Sequence, residues 1–208
     1  WGGGGHVGTY RSDDSGMTFY PISDECLSKG TLHISLSQPG TLFLRSLVDP
    51  YDSSAADCPG GIYRSTDRGV TWELIGLQGY YLVGGAEEAF EVGGINDDFI
   101  YVIASTKPIQ ENAVALYATS DGGITWYTVN KLCPTIQVNP LDGKEVYCFF
   151  SHSDYPEVSF DAGKTWKALK PTETSTFQEF SLFRSGNIVL VGGDGLFVSY
   201  DNGKNWQE

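Results

Sequence analysis

The stretch Ser65-Thr66-Asp67-Arg68-Gly69-Val70-Thr71-Trp72 is written five times in this chain. It returns as Thr119-Ser120-Asp121-Gly122-Gly123-Ile124-Thr125-Trp126, as Ser159-Phe160-Asp161-Ala162-Gly163-Lys164-Thr165-Trp166 and as Ser199-Tyr200-Asp201-Asn202-Gly203-Lys204-Asn205-Trp206. The opening copy, Ser12-Asp13-Asp14-Ser15-Gly16-Met17-Thr18-Phe19, carries Phe19 in place of the tryptophan. The shared pattern is Ser/Thr-x-Asp-x-Gly-x-Thr-Trp, with Asn205 replacing the threonine in the last copy. One copy is weak evidence; five within 208 residues define a repeat.

Each copy reads as a tight hairpin corner. Asp67 can accept bonds from backbone N–H groups one to three residues on, as Asx turns do. Gly69 supplies the positive φ that the reversal needs. Trp72 opens the return strand with a large apolar face and one N–H donor. Strand-like residues flank the corner, Gly61–Arg64 before it and Trp72–Ile75 after it.

The corner aspartates stand at 14, 67, 121, 161 and 201, with spacings of 53, 54, 40 and 40. Such a period suits one four-stranded blade of a β-propeller. Two more strands fit between successive boxes: Thr31–Leu36 and Thr41–Leu47, Ala89–Val92 and Phe99–Ile103, Thr135–Asn139 and Glu145–Phe150, Phe177–Leu182 and Asn187–Val191. A unit is therefore an A–B hairpin, a connection, strand C, the box and strand D. The expected fold is all-β, with four full blades and a leading C–D half blade (Gly8–Arg11, box, Phe19–Ile22). Residues 1–208 read as one propeller domain or a segment of a larger one, in units of roughly 1–25 (partial), 26–78, 79–130, 131–170 and 171–208. The last unit ends on strand D at Trp206–Glu208, and no A–B pair is left over to complete the first blade. Three readings stay open: a piece of a longer propeller, completion of the exposed edge by another chain or segment, and an unusual closed ring.

Composition agrees with a turn-rich β protein: 26 glycines, 13% aromatic residues and no helical stripe. The net charge of −13 disfavours nucleic acid and anionic membrane surfaces as partners. No apolar run is long enough to span a bilayer, so membrane insertion is not expected. The chain begins Trp1-Gly2-Gly3-Gly4-Gly5, with neither an initiator methionine nor a leader, which suggests a processed product or a fragment. Cys133 and Cys148 bracket the A–B hairpin of the fourth unit, and Cys26 and Cys58 that of the second. Both pairs are expected to form disulfides, which places the chain in an oxidising compartment: secreted, extracellular or luminal. Without C-x-x-C spacing and with His6, His33 and His152 scattered, no metal site is expected. The histidines could sense pH, although ordinary strand or loop roles are the simpler account. No phosphate-cradling loop, nucleophile elbow or cofactor fingerprint occurs, so no cofactor is expected.

The box is similar to the Asp-box, or BNR, repeat of sialidases, xyloglucan-cleaving glycosidases, sortilin-type receptors and photosystem assembly factors, and the resemblance runs almost end to end. It implies a β-propeller whose boxes lie at the outer rim, far from the central site. The structural set is then Asp14, Gly16, Asp67, Gly69, Trp72, Asp121, Gly123, Trp126, Asp161, Gly163, Trp166, Asp201, Gly203 and Trp206. A sialidase-type site would need three convergent arginines. Arg11, Arg64 and Arg68 all belong to C strands or a box, and the expected Arg-Ile-Pro strand is missing, so that activity is excluded. A xyloglucanase-type site would need two facing carboxylates. Asp97, Asp154, Glu91 and Glu179 are the candidates, each with a simpler reading as a solvated turn or loop residue. Long loops on rigid scaffolds favour binding, which points to Tyr51, Asp52, Tyr80, Tyr81, Glu87 and Glu88. The resulting expectation is a non-catalytic extracellular scaffold for protein or glycan recognition, with its open blade edge available for assembly. A xyloglucanase-like glycoside hydrolase is the alternative.

Overall fold

A computed structural model describes residues 8–22, 27, 30–46, 60–80, 90–106, 114–131, 133–149, 155–171, 177–182, 188–192 and 195–208, with 177–182 and 189–192 described through the backbone alone. The described elements are seventeen strands. Among the described residues no helix is long and apolar enough to cross a membrane. The chain divides into two compact units, Trp1–Gly84 with Ala104–Val114, and Gly85–Ile103 with Ala115–Glu208.

The first unit holds a two-stranded sheet of β1 (Tyr10–Arg11) and β2 (Tyr20–Pro21). It also holds a four-stranded antiparallel meander of β3 (Gly30–Ile34), β4 (Leu42–Ser46), β5 (Gly61–Ser65) and β6 (Glu73–Gly76). Strand β4 is flanked by β3 and β5 and is buried along its whole length. One face of the meander packs Leu44 and Tyr63 with Leu27, joined by Leu32, Trp72 and Leu74.

Most of the next meander falls in the second unit: β7 (Phe90–Gly93), β8 (Phe99–Ser105), β9 (Val114–Thr119) and β10 (Tyr127–Val129). It is followed by β11 (Thr135–Val138), β12 (Val146–Phe149), β13 (Glu157–Ser159) and β14 (Lys167–Ala168). The last sheet is β15 (Phe177–Leu182), β16 (Ile188–Gly192) and β17 (Gly195–Ser199). The strand expected at Trp206–Glu208 is reduced to one bridge, Val198 to Gln207, closed by two hydrogen bonds of 2.8 Å. Strand D is two residues long in β2 and in β14, three in β10 and four in β6. Tyr147, Phe149, Val158, Leu169, Ile188 and Phe197 form the core between the last two sheets.

Each box makes the same set of bonds. In the second copy Thr71 donates its hydroxyl to Asp67 Oδ2 at 2.6 Å and its backbone N–H to Oδ1 at 2.9 Å. Ser65 donates to Asp67 Oδ1 at 2.8 Å, and its Oγ accepts the Gly69 N–H at 2.7 Å. Copies one, three and four repeat this set, and in the fifth Asn205 Nδ2 replaces the threonine hydroxyl at 2.6 Å. The carboxylate thus reaches four residues on, beyond the one to three expected of an Asx turn. The corner also needs positive φ at two successive residues: 62° at Arg68 and 87° at Gly69, 61° at Ala162 and 84° at Gly163. Those φ values match the central pair of a type I′ turn, whose twist suits a β-hairpin.

Two joints recur around the corner. The residue before the box glycine donates its N–H to the turn between strands A and B of its own sheet: Arg68 to Gly40 O (2.9 Å), Gly122 to Asp98 O (2.9 Å), Ala162 to Lys144 O (3.0 Å). The glycine itself abuts the end of the preceding sheet. A Cβ on Gly69 would lie 2.8 Å from Ile22, on Gly163 3.0 Å from Val129, and on Gly203 closer still to Leu169. Side chains reinforce these contacts. Trp72 Nε1 donates to Ile22 O at 2.6 Å, Tyr101 Oη to Gly143 O at 2.8 Å, and Tyr127 Oη to Ala162 O at 3.1 Å. Lys131 pairs with Glu157 and lies 5.5 Å from the Trp166 ring.

The expected Cys133–Cys148 disulfide is present, with a Cα–Cα distance of 5.4 Å. The strand register places Ile136, not Cys133, opposite Cys148, so the bond is made from just ahead of β11. Cys26 and Cys58 lie outside the described residues.

Gly203→Ala should lower stability by about 2–4 kcal/mol, combining left-handed strain with overpacking against buried Leu169. Gly79 also has positive φ (75°), but a methyl group there would meet nothing within 4 Å. Gly79→Ala should therefore cost only about 1–2 kcal/mol. Urea unfolding of the two variants measures the difference, and equal losses would mean that the close approach is not tight. The box carboxylates also predict an acid transition. Bonds from the threonine side chain and backbone hold Asp14, Asp67, Asp121 and Asp161 down to about 2, and Asn205 does the same for Asp201. A lowered acid contributes stability that is complete above its ordinary value of 3.8 and lost as pH falls toward about 2. The urea midpoint should therefore drop across that window, less steeply in Asp161→Asn, and a flat profile would contradict the assignment.

Candidate functional site

The expected site residues fall into three groups. Asp154, Tyr51, Asp52, Tyr81, Glu87 and Glu88 lie outside the described residues. Glu179 lies on β15 next to a register irregularity between Phe177 and Glu179, known through its backbone. Glu91, Asp97 and Tyr80 are described in full.

Asp97 sits in the β7–β8 turn with φ of 57°, buried to 6% exposure, its N–H donating to Gly94 O at 3.2 Å. Its geometry is that of a turn residue. Tyr80 closes the turn after β6, where its N–H donates to Leu77 O at 3.1 Å. Glu91 differs from both. It lies on β7 opposite Tyr101 and is half-buried, and burial pushes its carboxyl up to about 7. Desolvation of the charged form is the cause. Glu91 therefore keeps a proton close to neutral pH, as a general acid must.

The box carboxylates are chemically committed. Every one is bonded within its own turn and remains ionised down to about pH 2, so none is a proton donor at neutral pH.

A surface cleft of about 610 Å³ opens in the second unit, beside the third and fourth boxes. Phe99, Tyr127 and Phe160 supply its aromatic lining, and Ser120, Lys144 and Lys164 its hydrogen-bond donors. Phe160 is 50% exposed. Tyr127 is held by its bond to Ala162 O, and burial raises its phenol. Sequence reasoning assigns function to the long loops and does not single out this cleft. A signal is present all the same: the residue before the box aspartate is solvent-exposed in all five copies, Asp13, Thr66, Ser120, Phe160 and Tyr200. Only the last two copies place an aromatic ring there.

The repeat matches the family model of the BNR/Asp-box repeat at residues 63–74, 157–168 and 197–208. Among curated proteins, a probable oligoxyloglucan-reducing end-specific xyloglucanase of Neosartorya fischeri is 31% identical over 114 residues, covering 51% of this chain and 14% of that protein. The fold is similar to that of a GH74 enzyme from Niastella koreensis, with a TM-score of 0.65 and 15% identity over 97% of this chain and 34% of that one. It is also similar to the GH74 xyloglucanase of Xanthomonas campestris, with a TM-score of 0.58 and 14% identity over 95% of this chain and 34% of that one. This chain thus spans about a third or less of the length of these relatives. The five repeated corners, the antiparallel meanders and these matches agree: the chain carries BNR/Asp-box repeats, and its all-β, four-stranded antiparallel sheets resemble those of β-propeller neighbours.

Proposed function

We propose that this chain is a glycan-recognising part of a secreted β-propeller of the xyloglucanase type, and that a β-glucan of the xyloglucan class is its ligand. The observation that supports this most is the sequence match to a probable xyloglucanase, on a chain whose fold resembles GH74 enzymes over nearly its full length. The cleft fits the same ligand chemically. An exposed ring such as Phe160 offers an apolar face to the C–H side of a pyranose, while Ser120 and the two lysines can bond its hydroxyls. On this reading the units near 1–25, 26–78, 79–130, 131–170 and 171–208 are successive blades, and β1, paired among the described residues with β2, offers an edge for assembly.

Hydrolysis is the second reading, and Glu91 favours it. A half-buried carboxyl that holds its proton to about pH 7 has the character of the acid in a glycosidase pair. The partner carboxylate on this reading is Asp154 or Glu179.

The protein containing this chain should be retarded by xyloglucan in affinity electrophoresis, and Phe160→Ala should weaken the retardation about threefold to tenfold. Absence of retardation by xyloglucan and by unbranched β-glucans would overturn the recognition reading. For the second reading, Glu91→Gln should abolish release of reducing ends while xyloglucan binding persists; unchanged release would remove Glu91 from the chemistry. An independent check comes from stability. A carboxyl raised from 4.5 to about 7 costs stability as pH rises between those values, because the unfolded chain ionises first. Glu91→Gln should therefore melt higher than the parent at mildly alkaline pH and equally at pH about 4.

A further inference from the structure

We propose that Asn202-Gly203, in the fifth box, is a latent deamidation site that the Ser199 hydroxyl keeps closed. The chain has seven asparagines, and Asn202 alone is followed by glycine. Glycine leaves the following backbone nitrogen unshielded by a side chain and free to rotate toward the amide. Asn139 is followed by proline, which has no N–H to offer, and the remaining five precede larger residues.

The reaction is intramolecular. The Gly203 backbone nitrogen gives up its proton to solvent base and attacks Asn202 Cγ. The new N–Cγ bond closes a five-membered imide, the bond from Cγ to the side-chain nitrogen breaks, and ammonia leaves. Water then opens the imide at one of its two carbonyls. One opening yields aspartate, and the other yields isoaspartate, whose backbone is longer by one carbon.

In the folded box the attacking nitrogen is already engaged. The Gly203 N–H donates to Ser199 Oγ at 2.8 Å, and Ser199 is fully buried. Ring closure must swing this peptide toward the Asn202 side chain and break that bond. The corner is held from both sides as well. Asn202 has φ of 58° and Gly203 of 78°, and Asp201 accepts from Asn205 N at 2.7 Å and from Asn205 Nδ2 at 2.6 Å. The serine that shapes the turn therefore also protects the most labile peptide in the chain.

Conversion would act on the fold directly. Isoaspartate would shift Gly203 out of register with the carboxylate of Asp201 and away from its close seat on Leu169. Leu169, Ile188 and Phe197 belong to the core that holds the last sheet to the one before it, so the lesion would loosen that joint. Deamidation at this corner is thus a one-way release for the last sheet.

The test is peptide mapping of the folded protein in mildly alkaline buffer, well below its unfolding transition, with deamidation at Asn202 followed over time. Ser199→Ala should deamidate about five- to tenfold faster than the parent, the factor expected for one lost hydrogen bond. Ser199→Thr should stay slow, because Thr119 makes the equivalent bond to Gly123 N at 3.0 Å. Ser159→Ala removes the same serine from the fourth box, which has no Asn-Gly pair, and controls for general loosening. Equal rates in Ser199→Ala and the parent would overturn the proposal, as would equal acceleration by Ser159→Ala.

Discussion

One carboxylate bonded to the residue four places on holds each of the five box corners. In the second box Asp67 takes both the hydroxyl and the N–H of Thr71, while Ser65 bonds the same carboxylate and orients Gly69. The turn this fixes has two left-handed residues in succession, a conformation that costs an ordinary side chain roughly 1–2 kcal/mol. Arg68 and Ala162 accept that cost. Their N–H groups gain the bond to the A–B turn of the same sheet, and their neighbouring glycines gain contact with the preceding one. The corner therefore acts in three directions at once: along the hairpin, across the sheet and toward the next sheet.

Much of this can be read from the residues alone. The five boxes place the corners, the intervals between them predict two further strands each time, and the sheets follow that order. The position of Cys133 and Cys148 around one hairpin predicts their bond. Two aspects are not legible, for identifiable reasons. Positive φ at Arg68 or Ala162 has no signature in residue type, because the strain is compensated by a bond from a turn distant in sequence. The second role of Gly69, Gly163 and Gly203 is equally hidden, since Ile22, Val129 and Leu169 are brought to them only by the stacking of sheets.

The candidate site is legible in a more uneven way. The four suspected acids look alike in sequence, and their surroundings separate the two that are fully described. Asp97 is fixed in a turn, whereas Glu91 lies on a strand and keeps its proton to about pH 7. Desolvation makes that difference, and desolvation depends on which strand covers which face. The lysines and rings of the cleft have no common motif because they come from separate corners: Phe99 and Lys144 from hairpin residues, Phe160 and Lys164 from a box.

A surface built from repeated corners leaves sequence freedom at defined positions. The serine, aspartate, glycine and threonine of each box are bound to the turn, but the residue before the aspartate is exposed and makes none of the corner's bonds. Asp13, Thr66, Ser120, Phe160 and Tyr200 occupy it in turn. The same scaffold can therefore present a charge, a hydroxyl or a ring at successive corners without disturbing the clamp beneath. In this chain the fourth corner sets a ring in a cleft with two lysines. On the proposed reading, that is how a corner whose bonds serve the fold acquires the chemistry of recognition.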